Sequence, residues 1–258
     1  MEVGDAERGT PSYEDGLVTR DAVIELQLLG RFGVRTGGEH VEVAPSGQRV
    51  LACIALCGGV AKRARIAATL WPDHVEPRAA ANLRGAVYRL PELLRPELVT
   101  QGSALGFSPR WTVDVTAVMD GARQLRDAPT ADEVDHGVFA QDLLPDWIDD
   151  DWLIIERERH RQMRLHALED LAEAQLAAAR PLDAVDTALR AVSTEPLRES
   201  AQLLLLRAHL MAGNRAAATR QFRDFWIQLR RELRVDPSPT MQGLMASAGL
   251  RTGGRHRS

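Results

Sequence analysis

The chain has 258 residues, about twice the usual length of one domain, so two domains are expected. Apolar residues make up 45% and charged residues 26%, ordinary for a soluble globular protein, and no apolar run approaches the roughly 18 to 20 residues of a membrane span, which excludes a transmembrane protein. The formal net charge of −4 argues against a nucleic-acid partner only if it is evenly spread, and it is not: residues 1–22 carry net −4, residues 23–115 net +3 and residues 116–258 net −3.

Residues 1–22 hold Glu2, Asp5, Glu7, Glu14, Asp15 and Asp21 among Gly, Pro and Ser, without apolar periodicity. This predicts a disordered acidic tail and is the reverse of a secretory leader. From Val23 the pattern changes. Ile24, Leu26 and Leu28 alternate with Glu25 and Gln27, Phe32 and Val34 lead into Thr36-Gly37-Gly38-Glu39, and Val41 and Val43 flank Glu42, which predicts a small antiparallel sheet. Pro45 and Ser46 then precede Val50, Leu51, Ile54 and Cys57, closed by Gly58-Gly59. A first helix is predicted here, with Ser46 as N-cap and the glycines as its stop. Cys53 and Cys57 are the two cysteines of the chain. Spaced i,i+4 on a helix, they are poorly placed for a mutual disulfide, read as small core side chains and fit a reducing cytosol.

A second helix is predicted from about Lys62, with Ile66, Ala67, Leu70 and Trp71 on one face and Pro72-Asp73 as its end. Pro77-Arg78 opens a third, whose apolar stripe is Leu83, Val87, Leu90 and Leu94. Pointing away from that stripe are Arg78, Ala81, Asn82, Gly85, Tyr88, Arg89 and Glu92, with Arg84 on the flank. Such a face suits a major groove: Ala81 and Gly85 keep it thin, Asn82 and Arg89 can read adenine and guanine edges, and a mid-helix glycine costing about 1 kcal/mol asks for a reason. Pro91 predicts a kink or restart, and Glu92 puts a negative charge toward phosphates. Leu98 to Gln101, a Gly102-Ser103-Ala104 turn and Leu105 to Ser108 read as a hairpin, with Trp111 to Asp114 as a possible closing strand. That arrangement would be a wing. An Arg-bearing amphipathic helix before a hairpin is also what a solvated face produces, so both readings stand on pattern alone.

Residues 116–138 are expected as a linker helix or loop, and from Phe139 to residue 250 the chain reads as wholly helical. A shift of 34 residues places Leu171 on Leu205, Ala174 on Ala208, Ala178 on Ala212, Arg180 on Asn214 and Ala184 on Ala218, the tetratricopeptide period. Helix pairs are predicted as Asp151 to Ala179 with Leu182 to Val192, and Leu197 to Ala212 with Arg215 to Leu233, with a last helix after Pro237-Ser238-Pro239. Helical pairs of this kind bury a shared core and offer a surface to protein partners. Asp149, Asp150 and Asp151 with Glu156 and Glu158 could hold a hard cation, but acidic side chains at a helix start also complement its dipole, and the second reading is preferred. Phe222, Phe225 and Trp226 read as inter-helix core, and Arg251, Arg255 and Arg257 fall in a basic tail over 251–258. The chain contains no HExxH, no zinc-finger cysteine spacing, no phosphate loop and no GxSxG, so neither metal, cofactor nor catalytic residue is expected.

The order of parts resembles the Streptomyces antibiotic regulatory protein (SARP) family of transcriptional activators in its short form. The points of likeness are Leu29-Gly30-Arg31-Phe32, Gln48-Arg49, Leu70-Trp71-Pro72-Asp73 and Arg78-Ala79-Ala80-Ala81-Asn82-Leu83-Arg84. Further on come Leu143-Leu144-Pro145-Asp146-Trp147, Glu156-Arg157-Glu158-Arg159 and Val235-Asp236-Pro237-Ser238-Pro239. The resemblance implies a mostly α fold with a smaller β part: an OmpR-type winged helix-turn-helix over 23–115, then an all-α tetratricopeptide-like bacterial transcriptional activation domain over 139–250. It further implies two protomers side by side on direct repeats of double-stranded DNA near a −35 element, recruiting RNA polymerase through its principal sigma factor, in a cytoplasmic, nucleoid-associated protein of secondary-metabolite (antibiotic) regulation. Carried over by position, Asn82, Arg84, Gly85, Tyr88 and Arg89 enter the groove, Gln48 and Arg49 lie near phosphates, and Gln101 to Ser103 form the wing tip. Arg63 and Arg78 complete the DNA-facing candidates. The alternative is a protein-interaction adaptor whose winged helix no longer reads DNA.

Overall fold

The computed structural model describes residues 22–127, 139 and 141–250. The predicted tails, except for Ala22, and residues 128–138 of the expected linker lie outside them. Strands β1 (Ile24–Gln27), β2 (Gly33–Thr36) and β3 (Glu39–His40) pair antiparallel, Ile24 opposite Thr36 and Arg35 opposite His40. Helices α1 (Pro45–Leu56), α2 (Arg63–Leu70) and α3 (Glu76–Tyr88) follow. A second sheet has β4 (Val60–Lys62), β5 (Leu98–Gln101) and β6 (Ala104–Phe107) in the order β4-β6-β5. Strand β7 (Trp111–Val113) then returns to the first sheet beside β1.

Several local expectations are corrected. The N-cap of α1 is Ala44, not Ser46, because Pro45 with its fixed φ takes the first helical position and starts the helix two residues early. The hairpin turn is Gly102-Ser103 alone, since Gln101 already faces Ala104; Gly102 supplies the positive φ of 58°. Trp111 to Val113 does not close the hairpin but runs parallel to β1, its Trp111 indole N–H donating to the Glu97 carbonyl at 3.1 Å. Strand β4 was not foreseen, being too short for alternation to register. Helix α3 neither kinks nor restarts. It stops at Tyr88 with Arg89 as C-cap, because Pro91 lacks an N–H and disfavours a helical residue before it. Leu90 and Leu94 are still buried, carried inward by the turn beyond the helix, while Ala79, Leu83 and Ala86 form its buried face. Of the two cysteines Cys53 is buried as expected, but Cys57 is half-buried, and a hydrogen bond from Cys53 lowers its pKa to about 6.

The remainder is helical: α4 (Asp114–Asp127), α5 (Leu153–Ala177), α6 (Pro181–Thr194), α7 (Glu199–Met211), α8 (Arg215–Glu232) and α9 (Pro239–Ser247). The sequence period is present in the helices themselves. Helix α5 ends at Ala177 and α7 at Met211, while α6 begins at Pro181 and α8 at Arg215, each pair 34 residues apart. Leu171 and Leu205, and Ala184 and Ala218, are correspondingly buried. Phe222 and Phe225 sit in the core with Met241 and Met245, as expected.

The two halves share one core. A single cluster runs from Ile24 and Leu28 through Leu83 and Val118 to Leu153, Leu165 and Leu171. The stretch expected as a linker thus begins as a helix set in that core, with Val115, Val118 and Ala122 buried. Asp114 fixes its start: its carboxylate accepts from the Leu28 N–H at 2.9 Å, the Leu29 N–H at 2.9 Å and the Val115 N–H at 2.8 Å. Burial pushes the Asp114 pKa up against these donors. Next to it the chain before α5 pairs with the residues just after β1, where the Leu144 N–H donates to the Leu28 carbonyl and the Gly30 N–H to that of Asp142. Gly30 has φ 75°, which strains any residue with a side chain, and a Cβ there would also have to displace the end of the Gln141 side chain, 2.9 Å away. Phe32 stacks on Trp147 with centroids 5.8 Å apart. The Arg157 guanidinium donates to the carbonyls of Leu143 at 3.1 Å, Leu144, and Trp147 at 2.9 Å.

Glu169 ties α5 to α7. It accepts two bonds from Arg198, at 2.7 and 2.8 Å, and one from Ser200. Burial pushes the Glu169 pKa up, the Arg198 and Ser200 donors outweigh it, and the net displacement is below the ordinary 4.5. A folded pKa below the unfolded one gives stability that is present above about pH 4.5 and lost as pH falls through the folded value. Glu169→Gln is therefore expected to shrink the fall in melting temperature between pH 7 and pH 4, and an unchanged acid sensitivity would assign that fall to other carboxylates.

Candidate nucleic-acid interface

Helix α3 presents its polar side outward. Arg78, Ala81, Arg84, Tyr88 and Arg89 are exposed, and Asn82 and Gly85 are half-buried. Spacings of four, three and four put Arg78, Asn82, Gly85 and Arg89 on one stripe. Ala81, Arg84 and Tyr88 form the next. Among the described residues Arg78 and Arg84 make no ion pair. Tyr88 is 75% exposed, and the Arg95 guanidinium lies 5.6 Å from its ring centroid. That cation–π pair keeps a positive charge beside the helix end, and sequence reading missed it because Arg95 follows the proline that ends α3.

Arg89 folds back along α3. Its Nη2 donates to the Ser46 Oγ of α1 at 3.3 Å, and its Nη1 passes 3.2 Å from where a Gly85 Cβ would stand. Gly85 thus has a local reason: it makes room for the Arg89 side chain. Gly85→Ala is expected to raise the melting temperature, since the helix gains up to about 1 kcal/mol in propensity and the tip of a flexible arginine can yield. A lowered melting temperature would show that the Arg89–Ser46 contact is worth more than the propensity.

The second group is at the wing. The Gln101 and Ser103 side chains are exposed at the hairpin tip. Arg63, at the start of α2, is fastened to the tip: its backbone N–H donates to the Ser103 carbonyl at 2.9 Å and its Nη2 to Thr100 Oγ1 at 3.0 Å. Lys62 and Arg65 are exposed beside it. The α1 candidates have inward partners. Gln48 Nε2 donates to the Val43 carbonyl at 2.8 Å, and Arg49 Nε is 2.7 Å from Asp150 Oδ1 of the helical half. Asp150 also accepts the Trp152 indole N–H at 2.8 Å, which gives this member of the acidic cluster two protein partners. Among the described residues no group of three or more His, Cys, Asp or Glu could hold a metal ion.

Comparison with known proteins bears on the helical half first. Residues 115–247 match the model of the bacterial transcriptional activator domain. The chain belongs to this family. Its resemblance to the SARP activators is upheld by a relative of wider span, the regulatory protein AfsR of Streptomyces coelicolor, 26% identical over 253 residues. That alignment takes in 92% of this chain and 25% of AfsR, so the chain spans about a quarter of that relative's length. Among solved structures, Mycobacterium tuberculosis EmbR in complex with a low affinity phosphopeptide superposes with a TM-score of 0.68 at 20% identity, over 88% of this chain and 65% of that one. The likeness is one of fold: a small sheet-bearing N-terminal part followed by helices. The match to the bacterial transcriptional activator domain begins at residue 115, at the start of α4. No described helix is long and apolar enough to cross a membrane.

Proposed function

We propose that this member of the bacterial transcriptional activator domain family is a sequence-specific DNA-binding activator. Two protomers side by side read direct repeats near a −35 element and recruit RNA polymerase through its principal sigma factor, serving secondary-metabolite (antibiotic) genes in the cytoplasm at the nucleoid. The observation that carries the reading is the outer face of α3, where Arg78, Arg84, Tyr88 and Arg89 are exposed around the narrow positions Ala81 and Gly85, beside a wing held by Arg63. Arg78, Asn82, Arg84, Gly85, Tyr88 and Arg89 would enter the groove, Gln101 and Ser103 would meet the backbone at the wing, and Gln48 and Arg49 would stay close to phosphates while holding their inward contacts. The 34-residue helix period supports a tetratricopeptide-like surface for protein partners in a non-enzymatic regulator.

The test is selection of bound duplexes from a genomic fragment library, then a salt titration of the winner against a scrambled duplex. Enriched direct repeats about one helical turn apart, bound far more tightly than the scramble, are expected. Weak binding lost equally for both duplexes would favour an adaptor, a reading to which the inward contacts of Gln48, Arg49, Arg63 and Arg89 lend support.

A further inference from the structure

The helical half carries its charge unevenly. Residues 215–234 hold six arginines against Asp224 and Glu232, net +4, within a half whose total is −3. Residues 142–158 hold seven acids against Arg157, net −6. The basic stretch is α8 and the two residues after it, and the acidic one leads into α5.

Helix α8 buries Ala218, Phe222, Phe225 and Leu229 against α7 and α9. On its opposite side stand Arg220, Arg223, Ile227 and Arg231, all exposed. Among the described residues Arg220 and Arg231 have no ion pair, and Arg223 has only the equally exposed Asp224, at 3.4 Å. Ile227, at the centre of the three arginines, is 61% exposed. A phosphate backbone would use the arginines and leave the isoleucine in water. A protein surface with carboxylates around an apolar centre uses both, which is the common anatomy of an interface.

The chain itself offers such a surface. Ile148 is 83% exposed, and Ile154 and Ile155 are exposed close behind it. A single exposed apolar side chain needs no explanation, whereas three within eight residues mark a contact surface. Asp149 and Asp151 stand among them, exposed, and among the described residues their carboxylates have neither a hydrogen bond nor an ion pair.

We propose that the outer face of α8 docks on residues 148–155 of a second copy of this chain, with Arg220 and Arg231 against Asp149 and Asp151 and Ile227 among the isoleucines. Exposed ion pairs contribute little one by one, so the contact is weak and reversible, and the opposed charges select the partner face. It forms without DNA and so does not rest on the DNA reading, in which it would join the two protomers.

The test is analytical ultracentrifugation of the full chain without DNA, up to about 0.2 mM. Reversible self-association is expected, about tenfold weaker at roughly 500 mM salt than at about 50 mM. Ile227→Ser is expected to weaken it severalfold without changing the salt dependence. Arg220→Glu with Arg231→Glu is expected to leave the chain monomeric, and so is Asp149→Lys with Asp151→Lys, each with the wild-type melting temperature because all four positions are exposed. Mixed one to one, the two double variants are expected to associate again, since each retains the face that the other has lost. A monomeric wild type, variants that associate like the wild type, or a mixture that stays monomeric would each overturn the proposal. So would a monomeric wild type whose arginine variant loses affinity for a scrambled duplex, an outcome that would give the α8 face to phosphates instead.

Discussion

Arg89→Ala is expected to lower affinity for the selected duplex by about 1 to 3 kcal/mol and to relax the preference at one base position, whereas Arg84→Ala weakens every sequence alike. The division follows from where the two side chains stand on α3. Five residues apart, they are separated by about 140° of helix rotation, so they cannot both face the groove floor. Arg89 shares the stripe of Asn82 and Gly85, and in the free protein its guanidinium rests on Ser46 through one long hydrogen bond of 3.3 Å. A guanine edge offers two acceptors at once, enough to draw it away. Arg84 is exposed, and among the described residues it has no ion pair to surrender, which suits a phosphate contact. Its removal is expected to reduce the slope of log affinity against log salt by about one. Titrations of both variants on the selected and scrambled duplexes at several salt concentrations measure this, and equal losses on both duplexes for both variants would remove the distinction.

The second large effect concerns the junction. Arg157→Ala takes the donor from three backbone carbonyls, Leu143, Leu144 and Trp147, that close the segment paired with Leu28 to Gly30. Hydrogen bonds from a charged donor are worth about 1.5 to 3 kcal/mol each, but they are not additive and water replaces part of them, so a loss of about 3 kcal/mol is expected. For a chain of this size that is a fall of roughly 6 to 12 °C in melting temperature. Arg157→Lys is expected to recover only a fraction, because an ammonium cannot present the planar fork that spans three oxygens. A melt unchanged by Arg157→Ala would mean that packing of Phe32 on Trp147 and of Leu143 and Leu144 in the core holds the junction without the guanidinium.

Much of this architecture is legible in the residues, and the reasons for the exceptions are physical. A pattern long enough to repeat, such as the 34-residue one from Leu171 to Ala218, declares itself locally. So do Pro77 at the start of α3 and Gly58-Gly59 after α1, whereas only Leu83 and Val87 of the stripe read for α3 lie within the helix. What sequence pattern could not give were contacts between distant segments. Val60 to Lys62 is a strand only because β6 pairs with it, and Trp111 to Val113 joins the first sheet only because β1 offers an edge. The same holds at the candidate interface. Exposure on α3 followed from the helical period, but the inward partners of Gln48, Arg49 and Arg89 come from Val43, Asp150 and Ser46, of which the last two stand far from them in the chain. Leu29-Gly30-Arg31-Phe32, Leu143 to Trp147 and Glu156 to Arg159, which stand far apart in the chain, meet at one junction. Each supplies part of it: a glycine crossing, a strand-like segment and the arginine that clamps it.

The shared core has a consequence for how such regulators can be recombined. The family match opens at residue 115, yet the apolar cluster runs without a break from Ile24 to Leu171, so the boundary of the match is not a boundary of the packing. A graft that joins this reading head to a foreign helical half at that point would strip Leu28, Leu29 and Phe32 of their cover and leave Asp114, which stays with the head, to start a helix of foreign sequence. The smallest transplantable unit is the winged part together with α4 and the segment from Gln141 through the body of α5. Because Ala191 of α6 and Ala201 of α7 also belong to that core, target specificity and partner specificity are exchangeable only toward α8 and α9, which pack with Leu206 in a cluster of their own.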